Sequence, residues 1–153
     1  MDEFVKMENK IITAYNGSGF DFYFLIEQLT ERNIKVEDMI LSNGKVMSFK
    51  FGNNNKVFDL YLFIMTSLDK ACKDFKIKNA KSSFNHNNIK SWEDTEKFKS
   101  EVLPYLKLDV AALKELFETF NDMIYELFET NITKYVTASI WDMKYGAISL
   151  MIS

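Results

Sequence analysis

The hydrophobic period changes abruptly near the start of the chain. Lys10 to Tyr15 (KIITAY) is short, apolar and β-branched, which suits a strand. From Asp21 to Arg32 the apolar residues Phe22, Leu25, Ile26 and Leu29 recur at helical spacing. Between them stand Asn16, Gly17, Ser18 and Gly19. A strand that hands over to a helix commits the chain to a mixed α/β arrangement, because the helix must lay its apolar stripe back on the sheet that the strand joins. Polar residues at such a junction serve either the turn or a site.

The rest of the chain extends this pattern. DMILSNGKVMSFKF carries two alternating apolar runs around Asn43-Gly44, a dipeptide suited to the tight primed turn of a hairpin. GNNNK turns again into KVFDLYLF, the expected third strand of a meander. Ser67 is placed to cap a short helix, SLDKACKDF, and the Asn-rich NAKSSFNHNN reads as loop. Ser91 with Asp94 three residues on has the form of a capping box opening a helix. Pro104, the single proline, falls where the first turn of a helix tolerates it. Beyond it Val110, Leu113, Phe117, Phe120, Ile124 and Leu127 mark the apolar seam of one long helix, and a last amphipathic segment runs from Ser139 to Met151. The order is strand, helix, meander, helices, with the strands mostly in the first half.

Composition narrows the function classes. The 153 residues are one domain's worth of material and can bury a core. With 1 Cys an internal disulfide is impossible, and with 1 His a Cys/His zinc site is excluded. No stretch has the apolar length of a membrane span, and the N-terminus MDEFVKMENK is neither a secretory signal nor an Arg-rich transit peptide. An intracellular, non-secreted protein without a membrane partner is expected; cytoplasm, mitochondrion and viral replicon all remain open. The net charge of -3 argues against a free-standing strong nucleic-acid binder. Its distribution is uneven, since Lys70, Lys73, Lys76, Lys78 and Lys81 crowd one stretch, read either as a solvated face or as a phosphate-facing patch.

Two groups of residues are candidates for chemistry. Asp21 can cap a helix, and Asn16 and Gly17 can form a turn, without further purpose. A dinucleotide-binding turn would need a third glycine where Phe22 stands, so that reading fails. Tyr105 and Asp109, from PYLKLD, are four apart and therefore lie one turn apart on one helix face. Alone they read as a surface pair with a partly buried ring.

Jointly they read otherwise. Asn-x-x-x-Phe-Asp after a strand, followed about ninety residues later by Tyr-x-x-x-Asp on a helix, resembles the second and third motifs of the 3'–5' exonuclease domain of family B DNA polymerases. The similarity is greatest to the protein-primed branch of phages, linear plasmids, viruses and organelles. MDEFVKMENKIITAYNGSGFDFYFLIEQLTERNIK resembles the run through the second motif, VFDLYLF with KACKDFKIKNAK the segment between motifs, and VLPYLKLDVAALKELFETF the third motif and its helix. The likeness extends to about Thr130.

The resemblance implies a ribonuclease-H-like fold, a mixed sheet with a β-meander flanked by helices, over residues 1–153 as a partial exonuclease domain. It implies a divalent pair, Mg²⁺ or Mn²⁺, about 4 Å apart, clamping the oxygens of an in-line displacement. Asp21 and Asp109 would be metal ligands, Tyr105 would orient the attacking water or the phosphate, and Lys81 would stabilise charge on that phosphate. Asn16, Phe20 and Phe24 would hold a single-stranded 3' end, the amide by hydrogen bonding and the rings by stacking. Partners would be that DNA end, the rest of a polymerase chain, and a terminal protein primer.

The family's first motif, Asp-x-Glu on an earlier strand, is not found; Asp2 and Glu3 are adjacent and follow no strand. The expectation is therefore an N-terminally truncated domain that belongs to a DNA polymerase but has little or no nuclease activity by itself. Two alternatives stand beside it. One is a non-catalytic module for single-stranded DNA or a protein partner, suggested by Phe20, Phe22, Tyr23, Phe24 and the lysines; the other is an α/β interaction domain whose motifs are accidental.

Overall fold

The computed structural model describes residues 1–79 and 99–135, together with Ser91, Glu93 and Glu96. It divides into two compact units: Met1–Thr66 with the chain from Ile124 onward, and Ser67–Met123.

In the first unit a single turn of helix, α1 (Asp2–Val5), precedes strand β1 (Ile11–Ala14), a 3-10 turn (Gly17–Gly19) and helix α2 (Asp21–Glu31). Strands β2 (Val36–Ser42), β3 (Lys45–Phe51) and β4 (Asn55–Asp59) follow, then the short helix α3 (Tyr61–Ile64). The sheet order is β1-β4-β3-β2. β2, β3 and β4 form the antiparallel meander that the sequence predicts, and β1 pairs parallel to β4 with Ala14 opposite Asp59. Asn43 and Gly44 both take positive φ (49° and 71°), the conformation a primed turn requires. This much is the expected α/β class with a mixed sheet.

One core cluster of this unit packs helix α2 on the sheet, and Phe58, Leu60 and Phe63 are buried besides it. Phe22 and Leu29 of α2 are buried together with Val46, Phe49, Phe51 and Val57, and Leu25 and Ile26 are half-buried against them. Phe4 of α1 stacks on Phe51 at a centroid distance of 4.9 Å, so the first turn of the chain also covers this cluster. Each such aromatic or aliphatic side chain contributes about 1.5–3 kcal/mol on full burial.

One expected strand is shorter than its sequence suggests. The apolar run KVFDLYLF suits a strand, but β4 stops at Asp59 and Tyr61–Ile64 is helical. Asp59 accepts a hydrogen bond from the backbone N–H of Tyr61 at 3.0 Å, which turns the chain out of the ladder.

The second unit holds helix α4 (Leu68–Asp74) and most of helix α5 (Lys99–Phe128). Ser67 caps α4 as expected, its Oγ accepting from the N–H of Lys70 at 3.2 Å. Ala71, Cys72, Ile77, Ala112, Leu116 and Phe120 are buried, and Phe75 meets Phe120 edge-on at 5.7 Å. Glu115 accepts from the N–H groups of Lys78 and Asn79, which fastens the chain after α4 to α5.

Two expectations for the long helix need correction. Pro104 is not in the first turn, because α5 already runs from Lys99; the exposed ring breaks one hydrogen bond inside a helix of good helix formers. The buried stripe is Ala112, Leu116, Phe120 and Ile124, at a strict spacing of four, whereas Val110 and Leu127 are 68% and 60% exposed. The small Ala112 contributes little to an apolar periodicity and so hides the true face. The capping partner Asp94, the loop around NAKSSFNHNN with Lys81, and the segment Ser139 to Met151 lie outside the described residues.

Candidate active site

The turn Asn16–Asp21 is built from the backbone outward. Asn16 sits in the left-handed region (φ 64°), which asparagine tolerates better than most residues. Gly17 is required for space: a Cβ there would lie 2.7 Å from Phe22 Cε1 and 2.8 Å from Ala14 Cβ. The turn is fastened to the sheet by Asp59, which is fully buried at the end of β4. The N–H of Asn16 donates to its Oδ1 at 2.7 Å and the N–H of Ser18 to its Oδ2 at 2.9 Å. With the bond from Tyr61, one carboxylate receives three backbone N–H groups. Hydrogen bonds to a charged acceptor contribute about 1.5–3 kcal/mol each.

What this fixed turn presents is mostly unsatisfied. Phe20 and Phe24 are 66% and 51% exposed and meet edge to face at 4.6 Å, forming an aromatic pair on the surface. Asn16 is exposed, and its side chain has no partner among the described residues. Asp21 is the first residue of α2, where the helix dipole favours a negative charge. It does not cap the helix: Phe20 occupies the N-cap, without a side-chain cap bond, and the Asp21 carboxylate has no partner among the described residues. The plain reading of Asp21 as a capping residue is thus not the one the geometry takes.

Asp59 is the functional residue that sequence reading passed over. Its signal was a lone acid within the apolar run VFDLYLF, and a buried acid in such a run requires partners.

In the second unit Tyr105 and Asp109 share one face of α5, as their spacing predicts. Both are half-buried and line a cavity of about 110 Å³ with Leu68, Asp69, Cys72, Asn79 and Ala112. Burial, then the charge of Asp109 and a hydrogen bond to it, raise the Tyr105 hydroxyl above the ordinary tyrosine range. The phenol therefore stays protonated and able to donate. The Cys72 thiol is also pushed up, by burial first and then by Asp69, Asp109 and Glu115, so it is a neutral wall rather than a nucleophile. Glu115, through Lys78 and Asn79, holds the wall that Asn79 contributes; the Lys78 N–H is the main cause that keeps the Glu115 carboxyl below its usual range.

The structure thus brings together Asn16, Phe20, Asp21 and Phe24 on one turn, and Tyr105 with Asp109 in one cavity, each group within its own unit. Among the described residues no three His, Cys, Asp or Glu side chains are placed to hold a metal ion. The lysine stretch is partly neutralised: Lys70 pairs with Asp74 and Lys73 with Asp69, which favours the solvated-face reading at those positions.

Comparison with known proteins gives a consistent family. The sequence profile described as DNA polymerase type B, organellar and viral, matches residues 1–96 and 91–145. A DNA polymerase of Kluyveromyces lactis is 27% identical over 95 residues, covering 59% of this chain and 9% of that protein. A probable DNA polymerase of Ascobolus immersus is 26% identical over 171 aligned positions, covering 82% of this chain and 14% of that protein. The chain therefore spans only a small part of the length of these curated relatives. No solved structure matches.

Proposed function

The chain belongs to the organellar and viral family of type B DNA polymerases, and from that premise we propose that it is the 3'–5' exonuclease region of such an enzyme, ribonuclease-H-like in fold and acting on mismatched 3' ends during DNA replication. The observation that carries this reading is the turn Asn16–Asp21. Its backbone is held by a buried carboxylate, yet the Asn16 amide and the Asp21 carboxylate have no partner among the described residues, and the Phe20 ring stands exposed against Phe24 of α2. Turn chemistry alone would have used those groups internally. A rigid support for free polar and aromatic groups is what a binding site needs.

In this reading Phe20 and Phe24 stack the last bases of a single strand, a contact worth about 1–3 kcal/mol per base. Asn16 hydrogen-bonds the strand beside them. The Tyr105 hydroxyl, kept protonated, donates to the scissile phosphate or to the attacking water. Lys81, outside the described residues, is assigned to the charge that builds on that phosphate. Asp21 and Asp109 are the hard-oxygen donors offered to Mg²⁺ or Mn²⁺, which would supply Lewis-acid stabilisation of the displacement. Two carboxylates fall short of what a divalent ion requires, so these residues by themselves are expected to bind the ion weakly. Within the whole protein the partners are the polymerising part of the chain and, for a protein-primed enzyme, a terminal protein.

The test is end selectivity. The chain should bind an oligothymidylate with a free 3' hydroxyl more tightly than one with a blocked 3' end, and Phe20→Ala should abolish the difference. Equal binding of both oligonucleotides by the unaltered chain would overturn the assignment and leave a module that holds DNA without reading its end.

A further inference from the structure

A second site lies at the other end of the same sheet. Along the parallel pair β1–β4, Ala14 faces Asp59 at the turn just described, while Ile11 faces Lys56 three residues earlier, about 10 Å away along the strand. Around Lys56 there is a cavity of about 440 Å³ lined by Asp38, Met39, Ile40, Ser48, Phe49, Lys50 and Lys134. None of these residues is used by the candidate active site.

The charges in this cavity are arranged at a cost. Lys50 and Lys56 are direct cross-strand partners of β3 and β4, and like charges directly opposite one another destabilise a sheet. Lys50 is paired with Asp38 at 2.8 Å. Lys56, half-buried, donates to the backbone carbonyl of Thr133, a neutral acceptor. Lys134 is exposed and has no partner among the described residues. Three ammonium groups and one carboxylate leave a local excess of two positive charges. Burial first, and the neighbouring Lys50 charge second, hold the Lys56 ammonium below the ordinary lysine range, so a bound anion would relieve an existing penalty. Local rules broken in this way cluster at functional positions.

The walls indicate the rest of the ligand. Met39 and Ile40 are 40% and 41% exposed, and they offer apolar surface beside the ammonium groups. The volume is within the range of small-ligand pockets and admits one nucleotide. We propose that the cavity formed by Lys50, Lys56, Lys134, Met39 and Ile40 is a nucleotide-phosphate site, in which Lys56 and Lys134 hold the phosphate and the two apolar side chains pack on the sugar or base. The phosphate can come from a DNA strand or from a free nucleotide. This site is independent of the exonuclease reading.

The experiment compares the unaltered chain with Lys56→Met, which keeps the aliphatic stem, with Lys134→Gln on the surface, and with Lys45→Gln in the hairpin as a control of equal charge. Binding of a fluorescent oligothymidylate is measured by anisotropy across a salt series, with thymidine monophosphate as competitor. Lys56→Met and Lys134→Gln should each weaken binding several-fold and lower the salt slope by about 0.7, while Lys45→Gln does much less. Competition by the monophosphate identifies a mononucleotide site, and its failure to compete identifies a strand-backbone site. If Lys45→Gln weakens binding as much as the other two, or if neither of those changes it, the proposal is wrong. The exposed Lys134→Gln keeps this test available should Lys56→Met fold poorly.

Discussion

Replacing Asp59 should loosen one turn in a residue-specific way. Its carboxylate is fully buried and accepts from the backbone N–H groups of Asn16, Ser18 and Tyr61 at 2.7, 2.9 and 3.0 Å. Asp59→Ala removes all three acceptors and leaves the Ser18 N–H without one in a buried position. At about 1–3 kcal/mol for each orphaned donor, with partial access of water to the other two, the loss comes to roughly 4 kcal/mol. That is a large share of the 5–15 kcal/mol typical of a folded domain. Asp59→Asn gives a sharper test. Its amide can keep one oxygen on the side that serves Asn16 and Tyr61, and must then direct its NH₂ at the Ser18 N–H, for a cost of about 2 kcal/mol. Urea unfolding followed by circular dichroism gives the totals, and amide hydrogen exchange gives the distribution. Exchange at Ser18 should accelerate in Asp59→Asn while Asn16 stays protected. Asp59→Ala within 1 kcal/mol of the unaltered chain, or acceleration confined to Asn16, would refute the reasoning.

Three further outcomes follow from the same geometry. Gly17→Ala, whose Cβ would be 2.7 Å from Phe22 and 2.8 Å from Ala14, should cost about 1–3 kcal/mol in urea unfolding, whereas Gly19→Ala, with its nearest atom at 3.6 Å, should be nearly neutral. The raised Tyr105 phenol holds its proton more tightly folded than unfolded, so its contribution is present at neutral pH and lost as pH rises past about 10 through the higher folded value. Asp109→Asn should bring Tyr105 part of the way back, leaving the larger effect of burial, as read by tyrosinate absorbance against a Tyr105→Phe baseline. Glu115 has the opposite sign: its lowered carboxyl contributes above the ordinary glutamate range and is lost as pH falls through the depressed folded value. Glu115→Gln should therefore flatten the acid limb of a pH–stability profile and speed amide exchange at Lys78 and Asn79.

The elements that the sequence made legible are those with strong local signals. Asn43-Gly44 fixed the hairpin, Ser67 fixed the start of α4, and the change of period at Asn16–Asp21 fixed the strand-to-helix junction. Each depends on residues within a few positions of one another. What escaped depends on distant partners. The stop of β4 at Asp59 is set by backbone groups as far away as Asn16, and the buried face of α5 is set by packing in which a small Ala112 matters as much as a Phe. In the candidate site, residue types and order could be read directly, including the facing pair Tyr105 and Asp109. The support under the turn could not, because a carboxylate in a strand does not declare which amides it will meet. The Lys50–Lys56 pair was hidden for the same reason, since cross-strand register brings together two lysines that sequence alone places on separate strands.

The central claim is that the Asn16–Asp21 turn receives a single-stranded 3' end, and photo-cross-linking tests it most directly. An oligothymidylate carrying a photoreactive base at its 3' terminus is bound to the chain, irradiated, and the adduct mapped after trypsin digestion. Ile11 to Arg32 is released as one peptide. The account predicts that adducts fall in Ile11–Arg32 at Phe20 or Phe24, and that moving the photoreactive base to the 5' end abolishes them. Adducts confined to other peptides, or equal labelling from the two ends, would contradict it.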